Sequence, residues 1–539
     1  MNRLNIAFAL VFWSLSMGRM FAFELTGLKV EYTETPLGID VKEPRFSWQM
    51  LSDKRGEVQV AYQIVVRNEG GNQVWDSGKI TDASSLGIRY GGVTLSASTR
   101  YDWWLTVWNA AGEKITSSSW FETGLMAFDD KDMAWNGAEW IGGDERAMPF
   151  YSDYLPVFRI RYTVQADRTS KTTQAGFIYG ANDFRLMDAN MNILGVERRK
   201  DESYIKVVLN TEGLDKEGSA SLDIYRVGYT QADKGDIPFS SVKVPATLVN
   251  KENRYDDHQI EIASSVGNTN VWLNDSLMIK DLNLNPIGKG GDYITFPVLA
   301  DVGFSVAAGK KASFSNVEIF NYRLPRHTLA TVPDTTIDGK EQFVSLKEIG
   351  CSMLRTEFLV NKAIKKARIY ASARGIYELF LNGKRVSDDY FNPGMTQYNK
   401  TLMYQTYDVT SLLKEGNNAW GAILNEGWWS GDITFTPENW NYFGDRQALF
   451  AQLIITYTDG SKKTVVTTPK SWKFYNDGPV RYGSLFQGEV YDALREKEVR
   501  GWSCAGYESS LWRSAEKVRL EDIVSVSYTH LRAHETGAY

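Results

Sequence analysis

The chain has 539 residues, more than one hydrophobic core normally serves, so several domains are expected. Its 43% hydrophobic and 23% charged content is that of an ordinary folded protein and excludes a disordered or collagen-like class. A net charge of −6, with no Lys/Arg cluster interleaved with aromatics, argues against nucleic acid as a partner.

Met1 to Ala22 reads as a secretory signal. Arg3 gives the positive start, Ile6 to Met17 the short apolar run, and Met20-Phe21-Ala22 a cleavage site before Phe23. The run is short for a bilayer span, and no later stretch approaches that length. A periplasmic or secreted protein, cut after Ala22, is expected.

From Phe23 the chain is strand-like almost throughout, with short Val, Ile, Tyr, Trp and Thr runs between Gly, Asn and Asp turns. The first unit, 23–127, is expected to be a fibronectin type III-like β-sandwich. Within it Tyr101, Trp103, Leu105 and Val107 share one face at period two. A second unit, 138–327, is glycine-rich, with turns at Asn274-Asp275 and Lys289 to Asp292; its size suits a laminin-G or concanavalin-like jelly roll. Its candidate recognition patch is Asn182, Asp183 and Arg185, able to meet sugar hydroxyls or calcium; the competing reading is a turn satisfied within itself.

A linker is expected at 328–343, where Pro333 stands among mixed polar residues, followed by a third β-sandwich over 344–519. Here Asn382-Gly383 is the pair best suited to a two-residue hairpin turn, and Asp459-Gly460 marks a second hairpin. Thr410 to Lys414 is one of the few helical stretches. The segment Gly427-Trp428-Trp429-Ser430-Gly431 sets two large rings beside Glu426 and Asp432. Rings cover the apolar face of a pyranose, and carboxylates accept its hydroxyl hydrogen bonds or hold a cation. Adjacent rings on a strand point to opposite faces, so at most one of them readily joins a given core. Glu426 with Asp432, and Asp388 with Asp389, are the carboxyl pairs that invite a catalytic reading; neighbouring acids on turns are more commonly solvated or cap a backbone N–H.

Cys351 and Cys504 are the two cysteines; a bridge and two free thiols are both open. No CxxC or HExxH spacing occurs, so a zinc centre is not expected. The tail Ser527 to Thr536, SYTHLRAHET, reads as one translated frame of a sequencing-library adapter, and 525–539 is expected to be non-native.

The ordered blocks Val30-Glu31-Tyr32, Pro36 to Asp40, Pro44 to Trp48, Trp75 to Gly78, Phe121 to Gly124, Tyr377 to Gly383, Tyr404 to Thr410 and Gly427-Trp428-Trp429 resemble the N-terminal portion of bacterial α-L-rhamnosidases, glycoside hydrolase family seventy-eight. The chain departs from the family pattern at Met395, where Trp is usual, and at Leu494, where Arg is usual; the 138–327 unit resembles an insertion found in some members. The resemblance implies hydrolysis of terminal α-L-rhamnose with inversion, on rhamnose-containing glycans. An inverting pair of carboxyls stands roughly 6.5–9.5 Å apart. The resemblance places that pair in an (α/α)6 barrel following the third unit, so no catalytic residue is assigned here and the chain is expected to be an inactive fragment truncated before that domain. The fold class is accordingly all-β, a multidomain array of sandwiches with the barrel absent.

The resemblance further implies that the third unit is a carbohydrate-binding module, which in related enzymes is calcium-dependent. By position its candidates are Asn399, Asn425, Glu426, Trp428, Trp429 and Asp432. No cofactor is otherwise required. The alternative reading is a stand-alone carbohydrate-binding or adhesion protein.

Overall fold

A computed structural model describes residues 23–127, 134–144, 149–287, 295–322, 328–434, 440–519 and 524–527. The signal segment and the tail beyond Ser527 lie outside the described residues. The chain divides into two compact units between Ala134 and Trp135. All-β architecture is borne out. Among the described residues, the α-helices are four-residue turns at Phe184–Met187, Gly213–Lys216, Gly427–Ser430 and Glu496–Val499. Thr410–Leu412 is a single 3-10 turn.

The first unit is a sandwich of a five-stranded and a three-stranded sheet. Arg100–Asn109 lies at the centre of the larger sheet, between Gln59–Asn68 and Lys114–Thr123. Tyr101, Trp103, Leu105 and Val107 are all buried, whereas Trp104 is exposed, so the period-two expectation holds. Trp103 meets Phe46 of the opposite sheet edge-to-face, ring centroids 4.8 Å apart.

The second unit holds two sandwiches. One packs a seven-stranded sheet, centred on Val157–Ala166 and Lys311–Asn321, on a six-stranded sheet centred on Tyr204–Asn210 and Gln174–Ala181. Tyr162 and Phe177 stack across this core at 4.5 Å. The span 328–343 is not a linker. Thr328–Val332 and Thr335–Asp338 pair with Lys311–Asn321, and Glu341–Val344 pairs with Asp301–Val306. Leu329, Val332 and Ile337 are buried in this core, and Pro333 falls in the break between two strands, where its missing N–H costs no ladder bond.

The other sandwich packs a six-stranded sheet holding Ile376–Leu381, Gly416–Asn425 and Ser352–Val360 on a seven-stranded sheet holding Ala448–Tyr457 and Ile364–Arg374. Ile141–Gly142 belongs here too, pairing with both Ala448–Tyr457 and Glu516–Lys517. The preceding sandwich is therefore inserted into this one. Its neck is the pair of reciprocal backbone hydrogen bonds between Phe150 and Ile349, each 2.9 Å. Asn382 and Gly383 both adopt positive φ, 49° and 82°, with Leu381 opposite Lys384, the two-residue turn expected from the Asn-Gly pair. Cys351 and Cys504 are free thiols.

Candidate functional site

The Gly427-Trp428-Trp429-Ser430-Gly431 segment leaves its sheet at Asn425 and coils into one helical turn. Gly427 permits this. Its φ is 52°, and a Cβ there would stand 2.6 Å from Cγ2 of Ile376. The turn sends the two tryptophans in different directions. Trp429 is core: its Nε1 donates to the Arg446 carbonyl at 3.0 Å and the Arg374 guanidinium lies 4.4 Å from its ring centroid. Trp428 is half-buried and faces Phe391, 6.3 Å away.

Glu426 precedes the turn and is only 4% exposed. Its Oε1 accepts a hydrogen bond from Trp440 Nε1 at 3.0 Å. Burial pushes its carboxyl up to about 8, nearby Asp432 pushes the same way, and the Trp440 bond opposes both, so Glu426 is largely protonated at neutral pH. Glu426 and Asp432 line a narrow pocket with Trp440, Tyr482, Gln487 and the Pro149 to Val157 stretch of the inserted sandwich. Tyr154 and Tyr482 stack there, 5.1 Å apart and 7° from parallel. Its lining is thus aromatic through Tyr151, Tyr154, Trp440 and Tyr482, apolar through Phe150, Leu155 and Val157, and acidic through Glu426 and Asp432. A protonated carboxyl can donate a hydrogen bond as well as accept one, which suits a sugar hydroxyl.

A wider cleft opens on the other side of the Ser152–Tyr154 turn. Asn182, Asp153, Asp301, Lys200, Glu348 and Arg481 line it. Burial, reinforced by Asp183, Glu348 and Asp301 and opposed by Arg185, raises Asp153 to about 7. Asn182 bridges acids within this cleft. Its amide donates to Asp301 at 2.9 Å and Asp201 at 3.2 Å, and its oxygen accepts from the Asp201 N–H at 2.7 Å. Asp183 and Arg185 do not face it as free groups. Their carboxylate and guanidinium make a buried two-pronged pair, at 2.9 and 2.6 Å, and Arg185 also donates to the Thr295 carbonyl.

The structure thus brings Glu426 and Asp432 together, sets Asn182 in a separate cleft, and turns Asp183, Arg185 and Trp429 inward. Asn425 is held locally, its Oδ1 accepting from the Glu426 N–H at 2.7 Å while its amide leaves no room for a Cβ at Gly483. Asn399 lies exposed on a turn. Sequence reasoning missed Tyr151, Tyr154, Trp440 and Tyr482; the Tyr151-Ser152-Asp153-Tyr154 cluster, two rings around an acid, was the available signal. The Asp183 oxygens are taken by Arg185, and among the described residues no three acidic, His or Cys side chains are grouped to hold a metal ion.

Comparison with known proteins follows the same division of the chain. Residues 25–127 match the Rha78A-like N-terminal immunoglobulin domain, a sandwich of immunoglobulin rather than fibronectin description, and residues 362–535 match the α-L-rhamnosidase N-terminal domain. An α-L-rhamnosidase of Streptomyces avermitilis is 29% identical over 534 residues, covering 94% of this chain and 46% of the relative. One from an Alteromonas species is 42% identical over 160 residues, covering 30% of this chain and 17% of the relative. The crystal structure of the Streptomyces enzyme complexed with L-rhamnose superposes with a TM-score of 0.54 at 25% identity, over 92% of this chain and 45% of that one. The Aspergillus terreus enzyme has a TM-score of 0.50 at 18% identity, covering 93% and 34%. The chain spans less than half the length of these relatives. With two N-terminal domain models matched in order, the chain is similar to the N-terminal portion of α-L-rhamnosidases over nearly its whole length.

Proposed function

We propose that this chain supplies carbohydrate recognition and scaffolding to an exported α-L-rhamnosidase that removes terminal α-L-rhamnose from glycans with inversion. The catalytic acid and base lie outside it in this reading. The observation that carries the recognition role is the pocket in which stacked Tyr154 and Tyr482 stand over a protonated Glu426 beside Asp432. Neither acid of that pocket is placed as a hydrolytic pair, because Glu426 is engaged by Trp440 and the narrow pocket admits a hydroxyl at the edge of a sugar rather than a whole ring. The signal-like start at Met1 to Ala22 supports export, and among the described residues no helix is long and apolar enough to cross a membrane.

Two measurements test the proposal. The purified chain incubated with an aryl α-L-rhamnoside is expected to release no phenol above background; turnover would place catalysis within it. Titration with L-rhamnose, with and without added calcium, is expected to shift tryptophan emission through Trp440. An unchanged spectrum in both conditions would remove the recognition role.

A further inference from the structure

A second surface, separate from the Glu426 pocket, is built to present rings to solvent. Tyr390, Phe391 and Met395 are 67%, 54% and 51% exposed within six residues of one loop. Large apolar side chains so placed are unfavourable in water unless something covers them. The loop is nonetheless rigidly tied down. The Tyr377 N–H donates to the Asn392 carbonyl at 2.9 Å, the Asn392 amide donates to the buried Tyr407 hydroxyl at 2.9 Å, and the Gln405 amide donates to the Pro393 carbonyl at 2.9 Å. Tyr377 in turn bonds both Gln405 and Tyr407. A buried polar network therefore fixes the loop from beneath while its rings point out.

Phe391 itself has φ of 61°, a left-handed conformation that is a true outlier for a bulky side chain. Such conformations persist only where the surroundings over-determine them, and they cluster at ligand clamps. Neighbours hold the rings at fixed angles. Trp428 lies 6.3 Å from Phe391 at 64°, and the Arg385 guanidinium covers Tyr390 at 4.4 Å while bonding Glu378 and the Asp389 carbonyl.

We propose that the exposed ring of Phe391 forms a stacking ledge for the apolar face of a pyranose ring, with Tyr390 and Trp428 inclined to it at 51° and 64° and with Arg385 and Glu378 placed to meet the sugar's hydroxyls. Charge set among the rings favours a sugar over a protein partner, since the centres of protein interfaces are depleted of charged residues. The choice of a rhamnoside as ligand rests on the carbohydrate reading above; the ledge itself rests on the loop geometry.

The test uses the full chain with methyl α-L-rhamnoside, followed by calorimetric titration. Phe391→Gly removes the ring while relieving the left-handed strain, so the fold should keep its melting temperature or gain. Its affinity is expected to fall by about tenfold, the scale of one aromatic contact, and Phe391→Trp should restore it. Phe391→Gly binding as tightly as the parent, with Glu426→Ala losing affinity, would overturn the ledge and leave the pocket reading intact. No binding by the parent chain would defeat both. Self-association of the parent in sedimentation, abolished by Phe391→Gly, would identify the surface as a contact between copies and also overturn the proposal.

Discussion

At Glu426 a single carboxyl couples the pocket to the stability of the fold. Its folded pKa of about 8 stands above the ordinary 4.5, so the folded protein holds a proton that the unfolded chain has released at neutral pH. The stability associated with that proton is complete below about pH 4.5 and is lost as pH rises through about 8, a swing of a few kcal/mol. Gln copies the neutral acid: its oxygen still accepts from Trp440 Nε1, and its amide cannot ionise. Glu426→Gln should therefore match the parent at pH 5 and exceed it by a few kcal/mol at pH 9. Denaturant unfolding across that range checks this, and parallel curves for the two proteins would mean Glu426 is already solvated. Glu426 and Asp432 were legible as neighbours because one short motif carries both. Tyr154 and Tyr482 were not, because only the folding of the inserted sandwich onto the jelly roll brings them face to face.

Among the elements, those specified by local chemistry were readable and those specified by tertiary pairing were not. The Asn382-Gly383 turn follows from the ease with which both residues take positive φ. The buried face of Arg100–Asn109 follows from alternation alone. The strands between Thr328 and Val344 were hidden because each is short and mixed in polarity, and each gains its place by completing a sheet edge rather than by its own pattern. The turn at Gly427–Ser430 stands between these cases: the glycine was visible, but not that the strand ends there. Gly427→Ala should cost about 1–3 kcal/mol, since the new methyl meets Ile376 and the backbone must leave its left-handed conformation. A drop in melting temperature with altered near-ultraviolet circular dichroism from Trp428 is the expected result. Unchanged values would show that the turn can shift without strain.

Over the whole molecule the informative feature is the insertion. The jelly roll draws Ile141–Gly142 from before the inserted sandwich and Ser352–Val360 from after it, so its own core, with Trp420 and Trp472 edge-to-face at 5.0 Å, is assembled across the insertion. The two chain ends of the inserted sandwich meet at Phe150 and Ile349, already hydrogen-bonded to each other as in a hairpin. Closing that gap with a two-residue Asn-Gly turn would impose little extra backbone distortion, because the flanking residues keep their partners. Excision of 151–348 with such a turn should therefore yield a protein that still unfolds cooperatively, with its melting temperature lowered by exposure of Trp440 and Tyr482, which the inserted sandwich covers. The same protein should lose the rhamnose response of the Glu426 pocket while keeping that of the Phe391 ledge, whose anchoring residues all lie outside the excised span. Loss of cooperative unfolding would show instead that the inserted sandwich is needed to fold the jelly roll around it.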